Sequence, residues 1–179
     1  NATLDGFTIT GGNATGSGRN AYGGGMHNDG SSPTVRRCTF TENFAAYGGG
    51  MCNYSNSSPT VANCTFTENR AVSSGGGMYN ILSNPRATNC TFSGNSAVYG
   101  GGLYNGEGSL RATNCTIVHN VAEYGGGIFS SYYSEPTVLN SILWGNAEGQ
   151  VFKVSGTTSV RYSCVQDGHV GEGNMADNP

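Results

Sequence analysis

The sequence predicts an all-β chain wound as a parallel β-helix, a solenoid of about six to seven coils with about 25 residues and about three short strands in each. Three observations carry this expectation. A triplet of glycines recurs at Gly23, Gly48, Gly75, Gly100 and Gly125, one apolar residue follows each triplet, and a stretch of the form Asn-Cys-Thr-Phe with a later Asn completes the unit. One copy reads Gly75-Gly76-Gly77-Met78-Tyr79-Asn80, then Pro85, then Asn89-Cys90-Thr91-Phe92-Ser93-Gly94-Asn95.

The period alone suits several repeat architectures, and the residues inside it decide among them. Helical repeats need long runs of Ala, Leu, Glu and Lys, whereas Gly, Pro, Asn and Ser interrupt every unit here. A propeller blade needs about four strands in roughly 40 residues or more, too many for this unit. Brief extended stretches joined by tight bends remain.

Within one coil, alternation in Pro59-Thr60-Val61-Ala62 turns Val61 inward, and alternation in Cys64-Thr65-Phe66 turns Cys64 and Phe66 inward. The two phases conflict unless the chain bends at Asn63. Asn is the non-glycine residue that best tolerates left-handed backbone, and Gly6, Asn89, Asn114 and Asn140 fill the same slot. Arg37 is its one awkward occupant. A second bend falls at Asn43, Asn69, Asn95, Asn120 and Asn146, followed two residues on by a small residue such as Ala45, Ala71, Ala97 or Ala122. In register, these asparagines predict a ladder in which each amide satisfies the next and the backbone of the bend.

The third strand starts after the glycines, with Met26, Met51, Met78, Leu103 and Ile128 inward and His27, Cys52, Tyr79, Tyr104 and Phe129 outward. Paired strands lie about 4.8 Å apart, so equivalent residues stack in columns. The core is expected to hold a cysteine column (Cys38, Cys64, Cys90, Cys115), a phenylalanine column (Phe40, Phe66, Phe92) and the Met/Leu/Ile column. Residues 1–146 are expected as regular repeats. Residues 147–179 are expected as an irregular last coil and polar tail of the same domain, continuing in a longer parent chain.

Charged residues make up 11% of the chain, far below the typical quarter, and the net charge is −3 without a Lys or Arg cluster. Nucleic acid and anionic membranes are therefore not expected partners. No apolar run approaches the about 18 to 20 residues of a membrane helix, so this segment is not expected to insert. The cysteines are expected as buried free thiols, because parallel side chains in a stack hold their Cβ atoms beyond the preferred disulfide separation of about 3.8 Å. No Cys-x-x-Cys pair offers zinc a site, and no cofactor is expected.

The units Gly76-Gly77-Met78 and Phe66-Thr67-Glu68-Asn69 resemble the repeats of bacterial cell-surface β-helix proteins, and are similar to those of the chlamydial polymorphic outer membrane proteins. The resemblance covers roughly residues 4–146. It implies right-handed, single-stranded coils, export to the cell surface or beyond, and a structural or adhesive role.

Catalysis is not expected. Polysaccharide lyases on this fold need a base, a positive group and often Ca²⁺ held by clustered carboxylates. Glu42 and Glu68 share a column that continues as Gly94 and His119, and Arg86 and Arg111 have no adjacent acid in the pattern. Two binding faces remain as alternatives. Thr39, Thr41, Thr65, Thr67 and Thr91 form a Thr-x-Thr array resembling those of ice-binding β-helices, although threonine is also simply a good exposed strand former. Tyr22, Tyr47, Tyr99 and Tyr124 before the glycines, with Tyr79, Tyr104 and Phe129 after them, offer stacked rings to cell-surface glycans or proteins, or simply brace the solenoid. Head-to-tail stacking of copies into a filament is a further expectation, since uncovered end coils expose unpaired strand edges.

Overall fold

The computed structural model describes residues 2–179, and within them the chain is a parallel β-solenoid whose coils each contribute one strand to each of its long sheets. The first sheet, with Val35, Val61, Val138 and Val160 facing inward, has seven strands from Thr3–Asp5 through Thr60–Ala62 to Ser159–Arg161. The second, carrying Phe40, Phe66 and Phe92, has seven strands from Thr8–Thr10 through Thr65–Thr67 to Cys164–Val165. The third, carrying Met51, Met78, Leu103 and Ile128, has six strands from Met26–Asp29 to Val151–Lys153. All of these pairings are parallel and in register, as in Phe40 against Phe66 and Met78 against Leu103.

A fourth, three-stranded sheet supplements the three strands expected per coil. It consists of Asn13–Ala14, Phe44–Tyr47 and Arg70–Ser74, and it thins to isolated bridges at Ser96 and Val121. The buried Ala45 and Ala71 give this segment an inward face too small to announce a strand in the sequence.

Both bends use left-handed backbone. Asn63, Asn89, Asn114 and Asn140 have φ of 54, 53, 55 and 47°, and Gly6 has 75°. Arg37 holds φ 52° in that slot, and Asp5 accepts from Arg36 Nε at 2.9 Å and from Arg37 Nη2 at 2.6 Å, which anchors the exposed guanidinium. At the second bend the left-handed residue is the one before the ladder asparagine: Glu42, Glu68 and His119, alternating with Gly94 and Gly145. The outward Glu42 and Glu68 column therefore marks a backbone requirement, and glycine substitutes for it freely.

The ladder asparagines are buried. Asn43 Nδ2 donates to Asn69 Oδ1 at 2.9 Å, Asn69 to Asn95 at 3.0 Å, Asn95 to Asn120 at 2.9 Å and Asn120 to Asn146 at 2.9 Å. Each also donates to a carbonyl of the preceding coil, as Asn95 Nδ2 does to Phe66 O at 2.9 Å. A second ladder, absent from the sequence reading, runs on the third sheet. Asn28 donates to Asn53 and Asn53 to Asn80, both at 2.8 Å, and the run breaks where Asn80 turns to Tyr104 O at 3.2 Å. Its signal was present in the sequence as an Asn two residues after each inward Met or Leu, the next inward position of the strand.

All six cysteines are free and buried. Cys38, Cys64, Cys90 and Cys115 stand in one inward column that continues as Ser141 and Ser163. The two chemistries do the same work. Ser141 Oγ accepts from Cys115 N–H at 3.0 Å and donates to Leu139 O at 2.7 Å, while Cys64 Sγ accepts from Cys38 N–H at 3.5 Å and lies 3.3 Å from Ala62 O. Hydrogen bonds to the neighbouring thiols of Cys115 and Cys64, together with burial, push the Cys90 pKa well up.

Candidate functional site

The glycine triplet makes the sharpest corner of each coil and shapes the surface beside it. Gly48 has φ +68°, and a Cβ on Gly49 would lie 2.5 Å from Arg70 O, so only unsubstituted backbone turns here. The residue before the triplet is thereby folded back over the strand that follows it. Two columns of side chains meet: an outer one of Tyr22, Tyr47, Ser74, Tyr99 and Tyr124, and an inner one of His27, Cys52, Tyr79, Tyr104, Phe129 and Phe152.

The inner column points away from the core, yet it is largely covered. Cys52, Tyr104 and Phe129 are buried, and Tyr79 is half-buried, because the outer tyrosines and the following loops lie over them. This corrects the expectation of an open outward column. Strand alternation sets only the direction of a side chain, and the covering rings come from the far side of the glycine corner.

The rings are in stacking contact along the solenoid. Centroids lie 4.9 Å apart for Tyr79 and Tyr104, 5.4 Å for Tyr104 and Phe129, and 5.5 Å for Phe129 and Phe152. In the outer column Tyr22 stacks on Tyr47 at 5.1 Å and Tyr99 on Tyr124 at 5.4 Å. These separations fall in the favourable range of about 4.5–7 Å. Burial raises the pKa of Tyr79 and pushes that of Tyr104 up to about 12, so both phenols keep their protons at neutral pH. Tyr99 at 38% exposure, Tyr124 at 43% and Phe152 at 38% keep ring surface open to solvent, and together they form an aromatic wall along the solenoid axis.

The other predicted surface groups are elsewhere. Thr39, Thr65 and Thr91 form one column of the second sheet and Thr41 and Thr67 another, with Ser93 Oγ donating to Thr67 Oγ1 at 3.3 Å. The array ends where Thr116 meets Ile142 and Val118 meets Trp144. Arg86 and Arg111 are in register on the first sheet, above Thr137. Met26 is only partly buried and packs against the rim of the core. A hollow of about 820 Å³ beside Leu4, Met26 and Asn28 is the open rim where the described chain starts, and it is not a built site. Among the described residues no group of three or more His, Cys, Asp or Glu side chains is arranged to hold a metal, and no helix is long and apolar enough to cross a membrane.

The family model for the right-handed β-helix region matches residues 1–171. The chain belongs to that family. The match spans every strand described above, so the right-handed β-helix includes the irregular stretch around Val151–Lys153 and Ser159–Arg161 as well as the regular coils. Comparison with curated proteins and with solved structures returns no match. The function of this β-helix therefore rests on the chemistry of its own surface.

Proposed function

We propose that this chain is a non-catalytic adhesive module of an extracellular or cell-surface protein, and that its aromatic wall holds glycan chains running along the solenoid axis. One observation carries the reading: Tyr99 and Tyr124 of the outer column and Phe152 of the inner one keep partly open rings in successive contact along the axis, on a body whose other long faces are rich in Thr and Ser. A sugar ring is amphipathic in the same way as a tyrosine, with an apolar face to stack and hydroxyls at its edge. The buried inner rings brace the wall from behind, so little conformational freedom is lost on binding.

The surface location is part of the proposal and is supported by the likeness of the repeats to those of surface-displayed proteins. The threonine face is the weaker candidate, because its paired array covers only a few coils before Ile142 and Trp144 interrupt it.

Binding of the purified chain to an array of immobilised glycans tests the reading. Retention on one or more glycans, weakened about tenfold or more by Tyr99→Ala combined with Tyr124→Ala, is expected. Failure to bind any glycan, or binding untouched by the double substitution, contradicts it.

A further inference from the structure

We infer that the break in the outer tyrosine column at Ser74 is a pocket for one neutral sugar ring. The inference deepens the reading above by naming where on the wall a sugar residue is held and what kind of sugar it is.

Every other member of that column is a tyrosine, and Ser74 pairs with Tyr47 on one side and Tyr99 on the other. The break is built into the backbone. The coil carries one residue more than its neighbours between Asn69 and Gly75, and the strand register slips between Ala71 and Ser74. Ser73 O absorbs the slip by accepting from both Val98 N–H and Tyr99 N–H at 3.0 Å. Bulges of this kind re-aim side chains and recur beside functional sites.

The missing ring leaves a cavity of about 390 Å³, within the range of about 300–1,000 Å³ usual for small-ligand pockets. Tyr47 and Tyr99 stand at its two ends, Tyr79 and Tyr104 line it from the inner column, and Ser73 and Ser131 supply hydroxyls. Two coils separate Tyr47 from Tyr99, roughly twice the strand spacing of about 4.8 Å. A ring inserted between them therefore sits at stacking distance from both.

A comparison within the same wall shows that the gap is not a routine irregularity. The inner column lacks a ring at Cys52, and there the wall has closed. Tyr22 approaches Tyr54 to 5.8 Å and Tyr79 to 6.4 Å, and Cys52 is wholly buried. Ser74 is itself buried at 5% exposure, yet the space beside it stays open as the cavity between Tyr47 and Tyr99.

The lining sets the ligand chemistry. None of the residues around the cavity carries a charge, so a uronic or sialic carboxylate would lose hydration without gaining a cation. A neutral hexose or pentose ring stacks on the tyrosines and hydrogen-bonds to serine and phenol hydroxyls.

The full chain is titrated calorimetrically with cellohexaose, xylohexaose, mannohexaose, maltohexaose and hexagalacturonate, in parallel with Ser74→Tyr, which supplies the absent ring. The expected result is binding of at least one neutral hexaose by the unaltered chain. Ser74→Tyr is expected to melt at an equal or higher temperature and to lose affinity by about tenfold or more. Undiminished binding by Ser74→Tyr overturns the pocket while leaving the wall reading standing, whereas failure of the unaltered chain to bind any neutral or acidic oligosaccharide overturns both. Tighter binding of hexagalacturonate than of every neutral hexaose overturns the assignment of ligand. Should Ser74→Tyr not fold, tyrosine ring resonances of the unaltered chain decide. Shifts at Tyr79 and Tyr99 on titration, with Tyr162 unmoved, support the pocket, and unmoved Tyr79 and Tyr99 overturn it.

Discussion

Asn95 Oδ1 accepts two hydrogen bonds from Asn69, one from its backbone N–H at 3.1 Å and one from its side-chain amide at 3.0 Å. One oxygen thus ties the bend of one coil to the next, in an interior from which water is excluded. Asn95→Leu strands both donors and removes the partner of Phe66 O. At about 1–3 kcal/mol for each buried group left unpaired, the variant is expected to lose at least ~3 kcal/mol. Urea unfolding followed by circular dichroism measures this.

The glycines divide into those whose surroundings leave no room for a side chain and those that tolerate one. Gly49 has no room for a Cβ, which would meet Arg70 O at 2.5 Å and Gly76 O at 2.6 Å. Gly94 shares its slot with Glu42, Glu68 and His119, and its nearest neighbour would be 3.6 Å away. Gly49→Ala is expected to cost more than the about 1–3 kcal/mol usual for overpacking, and Gly94→Asn no more than about 1 kcal/mol. Melting temperatures of the two variants give the comparison.

These slots also show what was legible in the sequence. The repeat, the coil-on-coil register, the asparagine ladder and the left-handed slot at Asn63 follow from local chemistry, since Gly or Asn recurs at that bend, whereas the left-handed Glu42, Glu68 and His119 carried no such signal. The second ladder through Asn28, Asn53 and Asn80 lay beneath the same alternation, but its asparagines follow residues as different as His27, Cys52 and Tyr79 and lead into the polar stretch before Pro33, Pro59 and Pro85. The burial of Cys52, Tyr104 and Phe129 was not legible at all. It depends on how far the glycine corner carries the preceding tyrosine over the strand, a distance set by three-dimensional closure of the coil. The gap at Ser74 stood in the sequence as a single extra residue, and only the folded wall shows that it leaves a cavity.

The cysteine column passes into serine without a change of hydrogen-bonding role, since Ser141 accepts the Cys115 N–H at 3.0 Å just as Cys64 accepts that of Cys38 at 3.5 Å. Cys115→Ser is therefore expected to cost less than about 1.5 kcal/mol. Cys115→Leu, which adds methylenes to a filled column, is expected to cost about 1–3 kcal/mol. Parallel urea melts distinguish the two.

Alkaline pH acts on the aromatic wall. Burial holds the Tyr104 pKa up at about 12 in the folded chain, against about 10 for an unfolded tyrosine. The unfolded state loses its proton first, so this contribution is fully present below about pH 10 and is lost as pH rises toward about 12. Tyr79, raised by burial in the same direction, adds to the effect. The melting temperature is expected to fall across that interval, and Tyr104→Phe to fall less steeply.

The claim on which the columns, the ladders and the wall all depend is that each coil lies directly on the one before, with Cys38, Cys64, Cys90 and Cys115 sealed between the sheets. Alkylation with iodoacetamide, read residue by residue by mass spectrometry, tests it most directly. The account predicts that these four thiols stay unmodified in the folded chain over the time that denatured chain is fully labelled. Labelling of the folded chain at the denatured rate would contradict it.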